Sequence, residues 1–418
     1  MATALLPRPP AGNLPSGAWL TDVLLWLTAC LNYLDRLMIM TMRDSVIAAI
    51  PMTEAQFGLL TTVFLLVYAV FSPFAGFLAD RFNRSYLITG SLFAWSAITL
   101  LTGYVRTYDE LLVTRALMGI AQAACMPASV ALVVDYHRGS TRSLASGLLL
   151  GGAMIGAVMS GLGGWLADLH GWAYAFKLFG VAGVCLAAVL CLVLRDPPAE
   201  KALITTAQAQ PAARLGEAFV SLFTNRAYLV MLVYACLLGV VSWSVAGWMP
   251  TYIKERFDLT QGSAGLYTTA CLNVAALIGM LLGGAWADRW SRTNAQARFL
   301  VPVIGLALAA PGILLIANTP LLGVALAGLV LYGMARHFAD ANMMPILCVL
   351  VDPRYRAMSW GIMTFFSCAV GGAGVYAGGL LRDAQVDVSR IFLLASANVL
   401  LCAGLLFLLR RRQIAPPV

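Results

Sequence analysis

Nothing constrains this chain more than its twelve long apolar stretches, near residues 19–44, 54–79, 85–105, 110–134, 143–167, 172–194, 226–252, 262–286, 298–317, 320–350, 357–381 and 389–409. A helix crossing the hydrocarbon of a bilayer needs about 20 mainly apolar residues. The stretches lack strand-type alternation and are too long for barrel strands, so helices must satisfy the backbone in lipid. Composition agrees, since 61% hydrophobic and 11% charged residues exceed what a soluble 418-residue chain needs for its core. The expected fold class is an all-α membrane protein with twelve transmembrane helices. The first stretch lacks a small-residue cleavage site and continues into polar sequence, so it reads as a span and not a signal peptide.

The net charge of +8 raises the question of nucleic acid, and its placement answers it. With both termini in the cytoplasm, most of the 27 lysines and arginines fall inside, including Arg81, Arg84, Arg138, Arg142, Arg354, Arg356 and Arg410. Arg43, Arg106, Lys177, Lys254, Arg256, Arg382 and Arg390 fall outside. That asymmetry is the positive-inside pattern, and without a basic-aromatic cluster it points to no nucleic-acid partner. The nine cysteines lie scattered in apolar runs without metal-type spacing and read as small fillers of helix interfaces. The three histidines are far apart, so neither a metal site nor a cofactor is expected. No nucleophile or metal constellation supports an enzyme, and no soluble output domain supports a membrane sensor.

An internal repeat divides the chain. Gly76-Phe77-Leu78-Ala79-Asp80-Arg81-Phe82-Asn83-Arg84 returns 208 residues later as Gly284-Ala285-Trp286-Ala287-Asp288-Arg289-Trp290-Ser291-Arg292. Arg142-Ser143-Leu144-Ala145-Ser146-Gly147 is echoed by Arg356-Ala357-Met358-Ser359-Trp360-Gly361. The expected organisation is a six-helix bundle over 1–195, a cytoplasmic linker over 196–225 with a short amphipathic helix near Leu215 to Phe223, and a second bundle over 226–418.

These motifs, together with Arg115 and Gly119 in the fourth stretch, resemble the major facilitator superfamily over essentially the whole chain. The resemblance implies two pseudo-symmetric six-helix bundles. Asn32-Tyr33-Leu34-Asp35-Arg36 resembles the first-helix signature of the anion:cation symporter and spinster families. Tyr68, Pro73 and the 76–84 motif lean toward spinster-like sequences, whereas "GWMPTYI" at 247–253 and "YRAMSWGI" at 355–362 lean toward anion symporters.

A charge at mid-bilayer costs roughly 2.5–3.5 kcal/mol on insertion scales, so it generally faces a bundle interior or a watery cavity. Thr28, Asn32, Asp35 and Arg36 share one helical face by spacing. Either the two charges form an ion pair that pins the first helix, or they serve transport. The resemblance implies proton coupling for Asp35 and substrate binding or gating for Arg36. In the fourth stretch Arg115, Gly119 and Gln122 share a face. Many anion:cation symporters carry a proton-binding glutamate where Gln122 stands, and an amide cannot carry a proton.

The tenth stretch is the most charged, with Arg336, His337, Asp340 and Asn342 in seven residues. Arg336 and Asp340 either neutralise each other or join His337 in proton traffic. Trp243, Trp248 and Tyr252 read as cavity walls or an interfacial aromatic belt, with Tyr33, Tyr68, Asn273 and Tyr332 as further cavity candidates. Asp80, Arg81, Arg84, Asp288, Arg289 and Arg292 are either solvated anchors or, as the resemblance implies, a latch that holds the inward gate shut. The substrate-binding set is thus Asn32, Tyr33, Arg36, Arg115, Gln122, Trp243, Asn273, Arg336 and Asn342, with Asp35, Asp340 and His337 for the proton.

Three arginines against two aspartates favour an anionic substrate, because a guanidinium grips a carboxylate with two parallel hydrogen bonds. The expected function is alternating-access transport of a small organic anion with a proton, by a monomer in a bacterial inner membrane. The alternative is a spinster-like carrier of an amphipathic lipid.

Overall fold

The computed structural model describes residues 17–137, 141–196, 215–294 and 296–412, which form helices and no strand. The first six spans are Ala18–Thr41, Glu54–Ala75, Arg84–Thr102, Tyr108–Tyr136, Leu144–His170 and Trp172–Val193. The seventh to twelfth are Arg226–Phe257, Gln261–Ser291, Ala297–Asn318, Leu322–Leu350, Met358–Asp383 and Ser389–Arg410. A helix at Leu215–Thr224 precedes the seventh span, while the linker residues 197–214 and both terminal segments lie outside the described residues.

Local chemistry sets where the spans begin. Thr53 and Thr107 form capping boxes with Gln56 and Glu110, and Asn225 and Thr260 accept from the first turns of the seventh and eighth spans. The fourth span is two helices, Tyr108–Ala123 and Cys125–Tyr136, because Pro127 offers no N–H to the carbonyl of Ala123. The fifth breaks at Ser160 into Arg142–Met159 and Gly161–His170.

Packing follows the repeat. In the first half the first span packs on the fifth, the second on the fourth and the third on the sixth; in the second half the seventh packs on the eleventh, the eighth on the tenth and the ninth on the twelfth. Two equivalent pairs join the halves, second with eleventh and fifth with eighth. Side chains such as Leu192, Leu281 and Leu394 are exposed on the outer surface, where lipid replaces water. Cys185 and Cys191 are exposed there too, and so are not interface fillers.

The molecule has a linker face, where the first span starts, and a far face, where it ends. Among the described residues, the hydrogen bonds and ion pairs between the halves occupy the far face and the middle of the seam. Asp383 accepts from the backbone N–H groups of Glu54 and Ala55, both at 2.9 Å. Asp168 accepts from Gly262 N–H at 2.7 Å. A Cβ on Gly379 would stand 2.4 Å from the Glu54 carbonyl oxygen, so only glycine permits this approach. Lys254 pairs with Asp44 and Arg382 with Glu54 at 3.5 Å across the seam, while Arg43 pairs with Asp44 and Glu54, and Arg382 with Glu255 at 2.7 and 3.1 Å, each within its own half. Deeper in the seam Thr62 donates to Gly372 O at 2.6 Å and Thr269 to Val158 O at 3.0 Å.

Candidate functional site

Asp35 and Arg36 occupy the last turn of the helix Ala18–Leu37 and, contrary to the shared face that spacing suggests, aim at different partners. Successive residues differ by about 100° around a helix. Asp35 is completely buried between the third and fourth spans, where Thr99 donates to its Oδ2 at 3.4 Å and Arg115 is the facing charge. Its Oδ1 has no hydrogen-bond partner, nor do Arg115 Nε and Nη2. The Arg115 guanidinium lies 5.3 Å from the Phe176 ring centre.

Arg36 points toward the second and fourth spans. Its Nη2 donates to Asn32 Oδ1 at 3.1 Å, and Nε and Nη2 both donate to Gln122 Oε1 at 3.3 Å. Gln122 is fixed in turn by donating to the Asn32 carbonyl oxygen at 3.3 Å. The rings of Tyr68, Tyr33 and Phe64 surround the guanidinium at 4.6, 4.8 and 5.2 Å. Each such contact contributes about 0.5–2 kcal/mol, according to how dry it is. Among the described residues no carboxylate pairs with Arg36. An ion pair pinning the first helix is therefore not what this arginine makes.

A cavity of about 320 Å³ lies beside this group, between the halves. Tyr33 and Leu37 form its wall in the first half, and Trp243, Asn273, Tyr332, Arg336, His337 and Asp340 line the opposite side. Arg36 stands behind Tyr33, and Trp243 lines both the cavity and the narrow void that Arg36 and Arg115 share. On the tenth span Arg336 Nη1 donates to Asp340 Oδ2 at 2.7 Å and to His337 Nε2 at 3.0 Å. A guanidinium only donates, so Nε2 is the acceptor and Nδ1–H donates to Gly333 O at 2.6 Å. His337 is the neutral Nδ1–H tautomer in this arrangement.

The structure separates some expected members from the cavity. Asn342 is buried, donates to Phe338 O at 2.9 Å and faces Gly283 of the eighth span, so it joins helices and does not line the cavity. Trp248 and Tyr252 are buried and donate to the carbonyls of Val375 and Ile316, which excludes an interfacial belt. Asp35 is buried within the first half, and Arg115 reaches the narrow void beside Trp243 but does not line the cavity. At the linker face Arg84 pairs with Asp135, and Asp288 lies 3.6 Å from Arg298, each within its own half. Arg81, Arg289 and Arg292 are exposed, and the side chain of Asp80 lies outside the described residues. Arg84 and Asp288 thus make no latch across the seam in this conformation, because the halves meet at the far face.

Sequence reasoning missed the far-face residues Arg43, Asp44, Glu54, Asp168, Lys254, Glu255, Arg382 and Asp383. A signal existed. The four helices of the seam each end in glycine, three residues and aspartate: Gly76 to Asp80, Gly164 to Asp168, Gly284 to Asp288 and Gly379 to Asp383. The third-span residues Thr99 and Trp95, beside Asp35, were also missed and carry no comparable pattern.

Comparison with known proteins accords with this architecture. A bacterial homologue of the human lysosomal transporter spinster, solved in an inward-facing and unoccupied conformation, superposes with a TM-score of 0.80 at 20% identity, over 97% of this chain and 100% of that one. An MFS-type efflux pump of Mycolicibacterium smegmatis is 24% identical, covering 94% of this chain and 90% of its own. A probable L-galactonate transporter of Escherichia coli is 25% identical over 88% and 85%, and the protein spinster of Drosophila melanogaster 24% over 88% and 63%. With twelve spans in two equivalent sets of six, and residues 25–375 matching the family directly, the chain belongs to the Major Facilitator Superfamily of membrane transporters.

Proposed function

We propose that this transporter moves a small organic anion, a carboxylate or sugar acid, together with a proton by alternating access. The observation that carries this reading is Arg36, 7% exposed and held by amide oxygens and three rings with no carboxylate to neutralise it. A buried charge of this kind is expensive unless a counter-ion arrives. An anionic substrate supplies one. Relatives named as probable transporters of L-galactonate, galactarate/D-glucarate and sulfoacetate lend support, because all four compounds are small organic anions. The spinster relatives keep an amphipathic lipid as the competing reading.

Asp35 carries the proton, since it is completely buried with one oxygen unpartnered and faces Arg115. Asn32, Tyr33, Gln122, Trp243, Asn273 and Arg336 form the substrate surroundings, and His337 and Asp340 extend them. Asn342 acts through helix packing. The linker face is the cytoplasmic one by the positive-inside rule, so the conformation is inward-facing, with both termini inside a bacterial inner membrane. Asp80, Arg81, Arg84, Asp288, Arg289 and Arg292 then close the inner face when the outer one opens. The protein works as a monomer, with the 196–225 segment linking the two bundles.

The test is binding and proteoliposome uptake of a panel of carboxylates, neutral sugars and lysolipids, with and without a pH gradient, on the purified chain and on Arg36→Lys. A lysine lacks the fork that matches a carboxylate. Arg36→Lys is expected to lose most carboxylate binding while retaining its fold. Normal carboxylate affinity in that variant, or binding of lysolipids alone, overturns the reading.

A further inference from the structure

The walls of the cavity carry unequal net charge. Behind Tyr33 stands Arg36, without a carboxylate partner. On the opposite wall Arg336 is already neutralised by Asp340 at 2.7 Å, and His337 is neutral by its hydrogen bonds. Among the described residues, the one uncompensated positive charge beside the cavity is therefore Arg36, which reaches it past Tyr33 and Trp243. That suits a single carboxylate, while a second one has no free cation to meet and would lie against Asp340.

The same wall is rich in unused polar atoms. Tyr332 Oη is buried without a partner, and so is Arg336 Nε. Asn273 spends its Nδ2 on Thr269 O at 2.8 Å, which leaves Oδ1 to accept. Asp340 places one oxygen on Arg336 and keeps the other, with its side chain 28% exposed toward the cavity. This surface offers both donors and acceptors. Hydroxyl groups do both, whereas an alkyl chain would leave Tyr332 and Asp340 unsatisfied.

We infer that the cavity selects a polyhydroxylated monocarboxylate, its carboxylate on Arg36 and its hydroxyls on the Tyr332, Asn273 and Asp340 wall, and that Asp340 rejects dicarboxylates by neutralising Arg336. This rests on the anion reading above and sharpens it to one substrate class. Asp340 is a specificity residue that acts through a second residue as well as through its own charge.

The experiment is competitive binding to the purified full chain with three six-carbon probes: an aldonate, an aldarate and the neutral hexitol. The wild-type chain is expected to prefer aldonate over aldarate by about tenfold or more, the effect of leaving one partly buried charge unpaired. Asp340→Asn frees Arg336 and is expected to shift the ratio toward aldarate by about tenfold. Asp340→Glu keeps the carboxylate and should keep the wild-type preference, which separates charge from damage to the fold. Equal binding of the two acids by the wild-type chain, or an unchanged ratio in Asp340→Asn, overturns this inference and leaves the anion reading standing. Failure of both acids to bind overturns this inference, and the anion reading falls with it when no carboxylate of the wider panel binds either.

Discussion

At the far face Asp383 and Asp168 accept hydrogen bonds from the first turns of helices in the opposite half, whereas Asp288, at the same point of the repeat, is 76% exposed and reaches only Arg298 of its own half. Both faces carry the glycine-to-aspartate spacing at their helix ends. A carboxylate at a helix N-terminus gains from the unsatisfied N–H groups and from the helix dipole, and the gain requires contact within the first turn. Engagement is thus a property of conformation and not of the motif. On the alternating-access reading proposed above, a rocking motion that opens the far face would break the caps of Asp383 and Asp168 and bring Asp288 toward the opposite half.

Spin labels at Pro51 and Gln385, exposed on opposite halves of the far face, give one measure for breaking this comparison. The largest change is expected for Asp383→Asn, which removes the charge and leaves one amide oxygen where two carboxylate oxygens each hold an N–H group. Caps contribute about 0.5–2 kcal/mol and the dipole about 0.3–1. The long-distance population should rise about five- to thirtyfold, and an unchanged distribution would show that the cap does not hold the face shut. Asp168→Asn keeps an amide oxygen that can accept from Gly262 and removes only the charge, so it should raise the same population only about two- to fivefold. An effect as large as that of Asp383→Asn would make the two seam pairs equal, against their different bonding.

Asp288→Asn sharpens the contrast from the other side. Its side chain makes no cross-half contact here, so the far-face distance should change by less than about twofold. Uptake should fall, because the conformation in which this aspartate engages is the one the variant weakens. A far-face distance that moves as far as in Asp168→Asn would contradict the assignment of the two faces to opposite conformations.

The spans and the repeat were legible because both are written along the chain: apolar length sets each helix, and the 208-residue echo sets the pairing that packing reproduces. Tyr33, Trp243, Asn273, Arg336, His337 and Asp340 meet around one cavity, from four spans whose polar residues had already stood out. The direction of neighbouring side chains was not legible. Asp35 and Arg36 were read as one face, yet a rotation of about 100° sends one to Thr99 and the other to Gln122. The far-face lock was hidden for another reason. Its charges come from five separate stretches, and Arg382 and Glu255 look like ordinary solvated helix ends until the fold brings them to 2.7 Å.

The smallest effect expected is of pH on the far-face lock, and Asp44 sets its sign. This residue lies between the first and second spans. Burial pushes its carboxyl up, but the hydrogen bond from Lys254 and the charge of Arg43 outweigh burial and hold it below the usual carboxylate range. A lowered pKa in the closed face means that closure gains from the ionised form. That gain is complete above the ordinary aspartate value of about 3.9 and is lost as the pH falls through the depressed one. The surrounding charges are Arg43, Glu54, Lys254, Glu255 and Arg382, all joined in the same cluster. The Pro51–Gln385 distance distribution should therefore be flat from pH 7 to about 5 and broaden only below about 4. Asp44→Asn should lessen that broadening and start from a slightly looser face. Because the Asp44 side chain is 31% exposed, solvent screening keeps the change small, well under that of Asp383→Asn. Opening between pH 7 and 5 in the wild-type chain, persisting in Asp44→Asn, would place the sensitive group elsewhere and remove Asp44 from the account of how this face is held.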